Sequence, residues 1–470
     1  MTPRIKRIWN YACHYGIRSA AALFFEKYYV DKRRFSSKAA PALTTEGSSS
    51  CLPQACVCEV GRGGRLPLRV LFALHYFYPE RSGGTERFTL NLALGMKERG
   101  ITPIVLVLDA NLSRSAYTES IGDILFREYE YLGIKCIGFR HKRAPIGLYY
   151  KNLYTEDEGM RALLRLIIRR EGIELFHATY PQPFLPMLDE CSRLGLPYVV
   201  TCTDFCMICP YATMVDRNGE LCRSSQRGER CAAVCKPLLC KDHGKRYELS
   251  RAALSSAAAV TVPSDFVNSL LSRELSINNV LTVNHGIGEE FRTGRRRERV
   301  RRFLFAGTLT RMKGAHLLIS AFQRLKGEYE LIIAGDGDKR YIRSLRLERD
   351  SRIRYIGAVP QEKMPELYSS VDCVVVPSMW QETYNFVLRE AASTGALVVA
   401  ARLGAMPEAM IDGATGFLFE PCSEDSLLEA LERAVAFDPT RRQIPKYPLI
   451  SDEIDTYLNI YSQAVSGKNE

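Results

Sequence analysis

Leu68–His75, LRVLFALH, is a nearly unbroken apolar run that closes on a histidine. A strand buries both faces only inside a sheet covered by helices on each side, so the run reads as a central parallel strand. The glycine-containing loop YFYPERSGGTE follows, and then RFTLNLALGMKERG, where Phe88, Leu92 and Met96 share one helical face and Gly100 is the stop. TPIVLVLD is the next strand. Strand, glycine loop, helix and strand make one βαβ unit, the building block of a doubly wound α/β sheet.

The alternation continues through LLRLIIRR (helix), IELFHAT and LPYVVTC (strands), SRAALSSA (helix), AVTVPS and NVLTVNHG (strands). It restarts after a charged break: RRFLFAG, KGAHLLISAFQRL, YELIIAG, RIRYIGAV, MPELYSSV, DCVVVPS, VLREAAST, ALVVAAR and the capped helix SEDSLLEALERAVA. The expected organisation is therefore an α/β chain with two parallel-sheet domains, 67–290 and 291–450. Residues 1–66 form an arm and linker, 202–243 a Cys-rich insertion, and 451–470 a closing helix.

Composition decides less than the distribution of charge. With 46% hydrophobic and 25% charged residues, the chain is of ordinary globular type rather than disordered or fibrous. Its net charge of +11 invites nucleic acid, an anionic membrane or a phosphorylated substrate as partner. Residues 1–38 hold nine Lys or Arg against Glu26 and Asp31, net +7, on a helix-period pattern that includes Trp9, Leu23 and Phe24. Residues 292–302 add +6, so the rest of the chain nets −2. Two nearly neutral α/β units without a zinc-finger, winged-helix or aromatic-on-sheet signature argue against nucleic acid. A basic amphipathic arm suits an anionic membrane surface, or packs on the protein's own surface. No apolar run is long enough to span a bilayer and no secretory cleavage pattern is evident, so the expected location is cytoplasmic, peripheral on the inner membrane face.

In such sheets ligands bind beyond the carboxyl ends of the strands, where helix N-termini favour anions. Four segments fall there. Gly83-Gly84-Thr85-Glu86 lets backbone approach a ligand, or is an ordinary tight turn. Thr308, Arg311 and Lys313 lie in a strand-to-helix loop whose cations suit a diphosphate, or are simply solvated. In PSMWQETYNFVLREA, Glu382 and Glu390 are flanked by Phe386, Val387, Leu388 and Ala391, and carboxylates there accept bonds from vicinal hydroxyls. GAMPE, then DGATG, reads as a glycine loop and a turn. Asp336-Gly337-Asp338 reads as a strand-end turn rather than a metal motif.

Together these strings resemble the retaining glycosyltransferases of family four, whose architecture is GT-B, two Rossmann-like domains facing a cleft. The resemblance covers about residues 68–465. It implies transfer of a sugar from a nucleotide-diphosphate donor to a glycan or lipid-linked acceptor with retained anomeric configuration, in surface polysaccharide biosynthesis, with no metal needed for catalysis. It also implies roles: Gly83, Gly84, Thr308, Arg311, Lys313, Glu382, Asn385, Phe386, Val387 and Glu390 for the donor, with Glu382 on the sugar and Glu390 on the ribose. His75, Glu86 and Asp204 fall to the acceptor side, and Glu382, Lys313, Arg311 and His177 to catalysis. Thr308 stands where the family usually has Arg, Thr179 and Thr203 where it often has His, and Tyr384-Asn385 replaces an aromatic-glycine pair. A second GT-B enzyme type, an epimerase or phosphorylase, or a catalytically weak homologue, is the alternative.

Seven of the 15 cysteines fall between Cys202 and Cys240. The spacings Cys206-x₂-Cys209 and Cys231-x₃-Cys235 are of the kind tetrahedral zinc uses, and Cys209, Cys222, Cys231 and Cys235 are the candidate structural set, with free thiols in a loop, or disulfides, as the alternatives.

Overall fold

The structure is a computed structural model that describes residues 66–467 apart from 82, 110–115, 143–156, 217, 236–241 and 295–298. The basic arm, nearly all of the linker, Cys240 and the arginines at 295–297 thus lie outside the described residues.

The first unit runs β1 (Arg69–Leu74), α1 (Gly84–Glu98), β2 (Thr102–Leu108), β3 (Glu119–Ile121), β4 (Ile124–Tyr131), β5 (Ile134–His141), α2 (Glu158–Glu171), β6 (Leu175–Ala178), α3 (Leu185–Leu194), β7 (Tyr198–Thr201), α4 (His243–Ser255), β8 (Ala259–Val262), α5 (Asp265–Leu275) and β9 (Val280–Thr282). Its sheet order is β3-β4-β5-β2-β1-β6-β7-β8-β9. From β5 to β9 neighbours are parallel, and β1, β6, β7 and β8 are buried almost throughout, as runs covered on both faces must be.

One edge departs from the expected parallel sheet. β3, β4 and β5 form an antiparallel ribbon that the βα alternation did not reveal. Its signal was the alternating ILFREYEY and the Leu132-Gly133 turn, both at positive φ (51° and 71°), as a two-residue hairpin of primed type requires.

The second unit runs β10 (Arg302–Ala306), α6 (Ala315–Arg324), β11 (Glu330–Ala334), α7 (Lys339–Ser344), β12 (Ile353–Gly357), α8 (Met364–Ser370), β13 (Cys373–Val376), α9 (Phe386–Ser393), β14 (Leu397–Ala401), β15 (Gly416–Phe419), α10 (Glu424–Val435) and α11 (Ile450–Val465). Its all-parallel sheet has the order β12-β11-β10-β13-β14-β15.

The hydrophobic core divides at residues 283–287. One core runs from Val70 to Val283, the other from Ile287 to Tyr447, and Ile454, Tyr457, Ile460 and Tyr461 of α11 return to the first. The two crossing segments lie side by side: the Ile287 amide donates to the Pro448 carbonyl (2.9 Å) and the Ile450 amide to the Ile287 carbonyl (3.1 Å). No Cβ fits at Gly286, where it would stand 2.4 Å from the Ile450 backbone. Among the described residues no helix is long and apolar enough to cross a membrane.

His177 belongs to this scaffold. It is fully buried on β6, with Nδ1 2.6 Å from the Tyr461 hydroxyl and Nε2 2.7 Å from Thr201 Oγ1. Tyr457 reaches Thr201 and Thr261 in the same layer (3.0 and 2.9 Å). These hydroxyls pin α11 to the strands of the first sheet. The structure therefore corrects the catalytic role expected for His177: sealed from the cleft, it ties helix to sheet, and burial lowers its pKa to about 3. An unfolded chain protonates this imidazole below about pH 6.5. Between those values the unfolded state binds the extra proton, so stability must fall as pH drops. From pH 6.5 to 5 the loss from this group is on the order of 2 kcal/mol. Urea unfolding should show a shallower acid dependence for His177→Asn than for the native chain; identical slopes would reject the assignment.

Candidate functional site

The site begins with a backbone constraint. Gly314, which ends the turn Arg311–Lys313 at φ 74°, lies so close to the carboxyl end of β13 that an added Cβ would stand 1.9 Å from the Pro377 carbonyl oxygen. The Met379 amide donates to the Met312 carbonyl across the same contact (2.8 Å). Two strand-end loops are thereby clamped together, and Lys313 on one meets Glu382 on the other.

Glu382 is buried, and three donors converge on its Oε1: Lys313 Nζ (2.7 Å), Ser378 Oγ (2.6 Å) and Trp380 Nε1 (2.9 Å). Burial alone would raise this carboxyl. The Lys313 charge and the three hydrogen bonds outweigh it and hold the group below the usual glutamate range. Among the described contacts no donor goes to Oε2. Lys313 also lies over the Trp380 ring, 5.2 Å from its centroid.

Arg311 is near enough to His316 for its charge to add to burial in lowering that imidazole to about 4, and His316 Nδ1 is 3.0 Å from Tyr341 OH. Thr308 is exposed in the preceding loop, and its carbonyl accepts from the Thr310 amide.

Asn385 opens α9. It holds φ 66°, the left-handed region that Asn tolerates better than other side chains, which explains how it replaces a glycine. Its Oδ1 caps the Leu388 amide (2.9 Å), while among the described contacts the amides of Phe386 and Val387 have no partner. They form the electropositive start of the helix.

One turn further on, Glu390 is 2% exposed and is paired with Arg87, which reaches it from α1 in the other domain. Burial raises its pKa, opposed by the charge of the paired Arg87. The Arg87 guanidinium also lies 4.8 Å from the Phe386 ring centroid. Gly83 and Gly84 start α1 with no side-chain cap, and a Cβ at Gly84 would meet the Phe386 ring at 3.8 Å.

Across the cleft, His75 at the end of β1 stacks on Tyr180 (3.7 Å, 26°). Asp204 accepts from the Cys206 amide (2.8 Å). Its pKa is pushed up to about 6 by burial, against hydrogen bonds from Cys206 and Tyr180 and the Arg246 charge. Glu86 is also buried and raised, first by burial, with the nearby Asp204 charge adding to the shift. His75, Glu86 and Asp204 thus share one side of the cleft.

The domains meet through further polar contacts that the sequence did not mark. Thr383 donates to the Thr203 carbonyl (2.8 Å), and Gln381 to that of Cys222 (3.1 Å). Glu408 accepts the Asp265 and Phe266 amides at the start of α5 (3.0 and 3.1 Å). His285, its Nδ1 2.8 Å from Glu453 Oε1, stacks on Phe386 at 5.4 Å and 10°. Arg87 escaped notice because one cation after a glycine loop looks like any solvated helix residue.

Cys209, Cys222, Cys231 and Cys235 are buried free thiols. Burial, and after it the neighbouring Cys209, Cys235 and Cys222, push Cys231 up to about 12, while burial and then Cys209 raise Cys222. The Cys222 thiol is 3.3 Å from the Ser224 carbonyl. Among the described residues no group of three or more His, Cys, Asp or Glu side chains is set to hold a metal ion.

The family profile described as Glycosyltransferase Family 4 matches residues 82–291, and that described as Glycosyl transferases group 1 matches 287–448. A lipopolysaccharide 1,2-N-acetylglucosaminetransferase of Salmonella typhimurium is 29% identical over 211 residues, 40% of this chain and 55% of that protein. A D-inositol 3-phosphate glycosyltransferase of Corynebacterium diphtheriae is 32% identical over 152 residues, 30% of this chain and 35% of that protein. The chain thus spans about half or less of these relatives' lengths. A crystal structure of Anabaena Alr3699/HepE in complex with UDP and glucose has the same fold, with a TM-score of 0.56 and 16% identity over 83% of this chain and 99% of that one. The two profiles overlap at 287–291, beside the crossing, and each falls on one of the two domains, so the chain belongs to the family-four (group 1) glycosyltransferases and has their GT-B architecture.

Proposed function

We propose that the protein transfers a hexosyl unit from a nucleoside-diphosphate sugar to a hydroxyl of a glycan or lipid-linked acceptor, with retention, in the building of a surface polysaccharide. The observation that carries the reading is buried Glu382 ion-paired to the half-buried Lys313 at the clamped strand ends beside the α9 N-terminus. The Anabaena protein's UDP and glucose, and the Salmonella relative's lipopolysaccharide role, support the donor and pathway classes.

The work of catalysis is to stabilise a sugar centre that gains positive charge and a diphosphate that gains negative charge as it leaves. Lys313 and the Phe386 and Val387 amides stand where the diphosphate would develop its charge. Glu382, its Oε1 saturated by three donors, offers Oε2 to the sugar hydroxyls. Glu390 takes the ribose diol. On the opposite wall Asp204, supported by Glu86 and His75, accepts the acceptor hydroxyl. For retention, that hydroxyl enters on the face from which the diphosphate departs, so the leaving oxygen is within reach of its proton. Fixed cations and amides fill the charge-neutralising role. Turnover should therefore survive removal of divalent ions by EDTA.

A thermal-shift screen of nucleotide sugars should find one donor that raises Tm, and Glu390→Ala should abolish that shift. Lys313→Met should lower turnover by at least about 100-fold, the scale of losing one preorganised charge stabiliser. It also leaves Glu382 buried without its cation, destabilising the fold by up to about 3 kcal/mol. No shift with any nucleotide sugar would sink the reading.

The pH dependence has a defined sign. Asp204 holds its proton below about pH 6 and is a carboxylate above it. If the carboxylate receives the acceptor hydroxyl, kcat/KM falls on the acid side with a midpoint near 6 rather than near 4. Asp204→Asn should be slow and lack that limb; an unchanged limb would assign it to another group.

The arm at 1–38, net +7, would hold the enzyme at an anionic bilayer on the cytoplasmic face, near a lipid-linked acceptor. Deleting it should release the protein from anionic vesicles, and persistent binding would refute this placement.

A further inference from the structure

Arg87 makes two contacts that together span the first turn of α9: an ion pair with Glu390 and a stack on Phe386. Phe386 is the first residue of that helix, and Glu390 lies four residues on, about 6 Å along its axis. The side chain comes from the other domain, as the fourth residue of α1. A cation in the first turn of a helix opposes the helix dipole, so its position needs a compensating anion, which Glu390 supplies. Glu390 needs the cation as much, because a carboxylate 2% exposed is costly to leave unpaired.

We propose that Arg87 is a donor-binding residue that exchanges partners: it clasps Glu390 across the domain interface and moves onto the donor diphosphate when the ribose diol takes Glu390. The proposal rests on the reading of Glu390 as the ribose acceptor. A neutral diol hydrogen-bonds the carboxylate but leaves the partly buried guanidinium uncompensated. The diphosphate brings the negative charge that restores balance, one helical turn back at the amides of Phe386 and Val387. Along the way the guanidinium plane keeps its contact with the Phe386 ring, a surface to which Arg is well suited. The clasp also makes recognition conditional. A nucleoside alone must displace Arg87 and offers it nothing in return, whereas a nucleoside diphosphate supplies the replacement anion. Selectivity for the diphosphate over the nucleoside thus arises in part from breaking one ion pair and making another.

The exchange predicts opposite changes in two ligands, which a plain structural latch does not. Isothermal titration of the full chain would compare UDP with uridine, and ADP with adenosine. In Arg87→Gln the diphosphate should bind about tenfold more weakly, the scale of one charge-assisted contact, while the matching nucleoside binds as well as or better than in the native protein. The double variant Arg87→Gln/Glu390→Gln removes both charges of the pair, so it guards against a folding defect. It should keep a native-like Tm and show the same loss of diphosphate preference. Parallel weakening of both ligands in Arg87→Gln, with preference kept in the double variant, would overturn the exchange. The reading of Glu390 is tested separately by Glu390→Gln, which should weaken nucleoside binding; nucleoside affinity unchanged there would remove the premise. Absence of binding by all four probes to the native protein would overturn both.

Discussion

A carboxylate taken out of water needs a cation or several donors to replace the water it loses, and this cleft is arranged around two such groups. Glu382 and Glu390 lie eight residues apart, on either side of the α9 start, and both are nearly fully buried. Their partners come from different places. Glu382 is satisfied within its own domain, by Lys313, Ser378 and Trp380. Glu390 is satisfied from the other domain, by Arg87. The first arrangement makes a rigid half-site that exists whether or not the domains close. The second makes the state of the cleft part of the electrostatic balance of the donor site.

The same coupling runs through the crossing between the domains. His285 lies at the end of the first domain, pairs with Glu453 on α11 and stacks on Phe386 at the head of α9. Tyr384 donates to the His285 carbonyl, and Arg389 to that of Tyr384. A shift in the crossing therefore moves the helix whose first amides would face the diphosphate. Farther along, Glu408 caps α5 across the interface through two amides. These contacts use helix ends and carbonyls, groups that the folded domains leave unsatisfied at their own surfaces, so closing the cleft completes hydrogen bonding that neither domain completes alone.

Much of the fold was legible because buried parallel strands must be apolar along their whole length, and their spacing sets the βα order. β1, β2, β10, β11, β13 and β14 could be read that way. The β3–β5 ribbon could not, because it covers an edge and follows a period of two. β15 was read over as the end of a glycine turn; the tight approach of Gly416 to the Val398 carbonyl makes it a strand. At the site, sequence could show which residues lie at strand ends but not which way they turn. Lys313 pairs with Glu382, a contact that its place in the loop does not announce. His177 stands at a strand end as a catalytic residue would, and only the return of α11 over it makes it a scaffold group.

The threonines at 179 and 203 show how a departure from the family's usual residues is absorbed. Thr89 on α1 donates to Thr179 Oγ1 (2.7 Å), Thr85 Oγ1 lies 2.7 Å from Thr203 Oγ1, and Thr203 donates to the Thr179 carbonyl (3.3 Å). Positions that often carry imidazoles thus become a chain of hydroxyls that fastens the glycine-loop helix to the ends of β6 and β7. The Thr203 carbonyl, in turn, receives Thr383 from the loop that holds Glu382. The hydroxyls tie together, at fixed spacing, the two walls that a donor and an acceptor would occupy. They also leave no titratable group at those two positions. Charge on this side of the cleft then rests with Glu86 and Asp204, whose burial keeps both carboxyls above their ordinary range, and with His75 stacked on Tyr180. An acceptor reaching this wall would meet carboxyls and an aromatic face rather than the imidazoles that the family often presents.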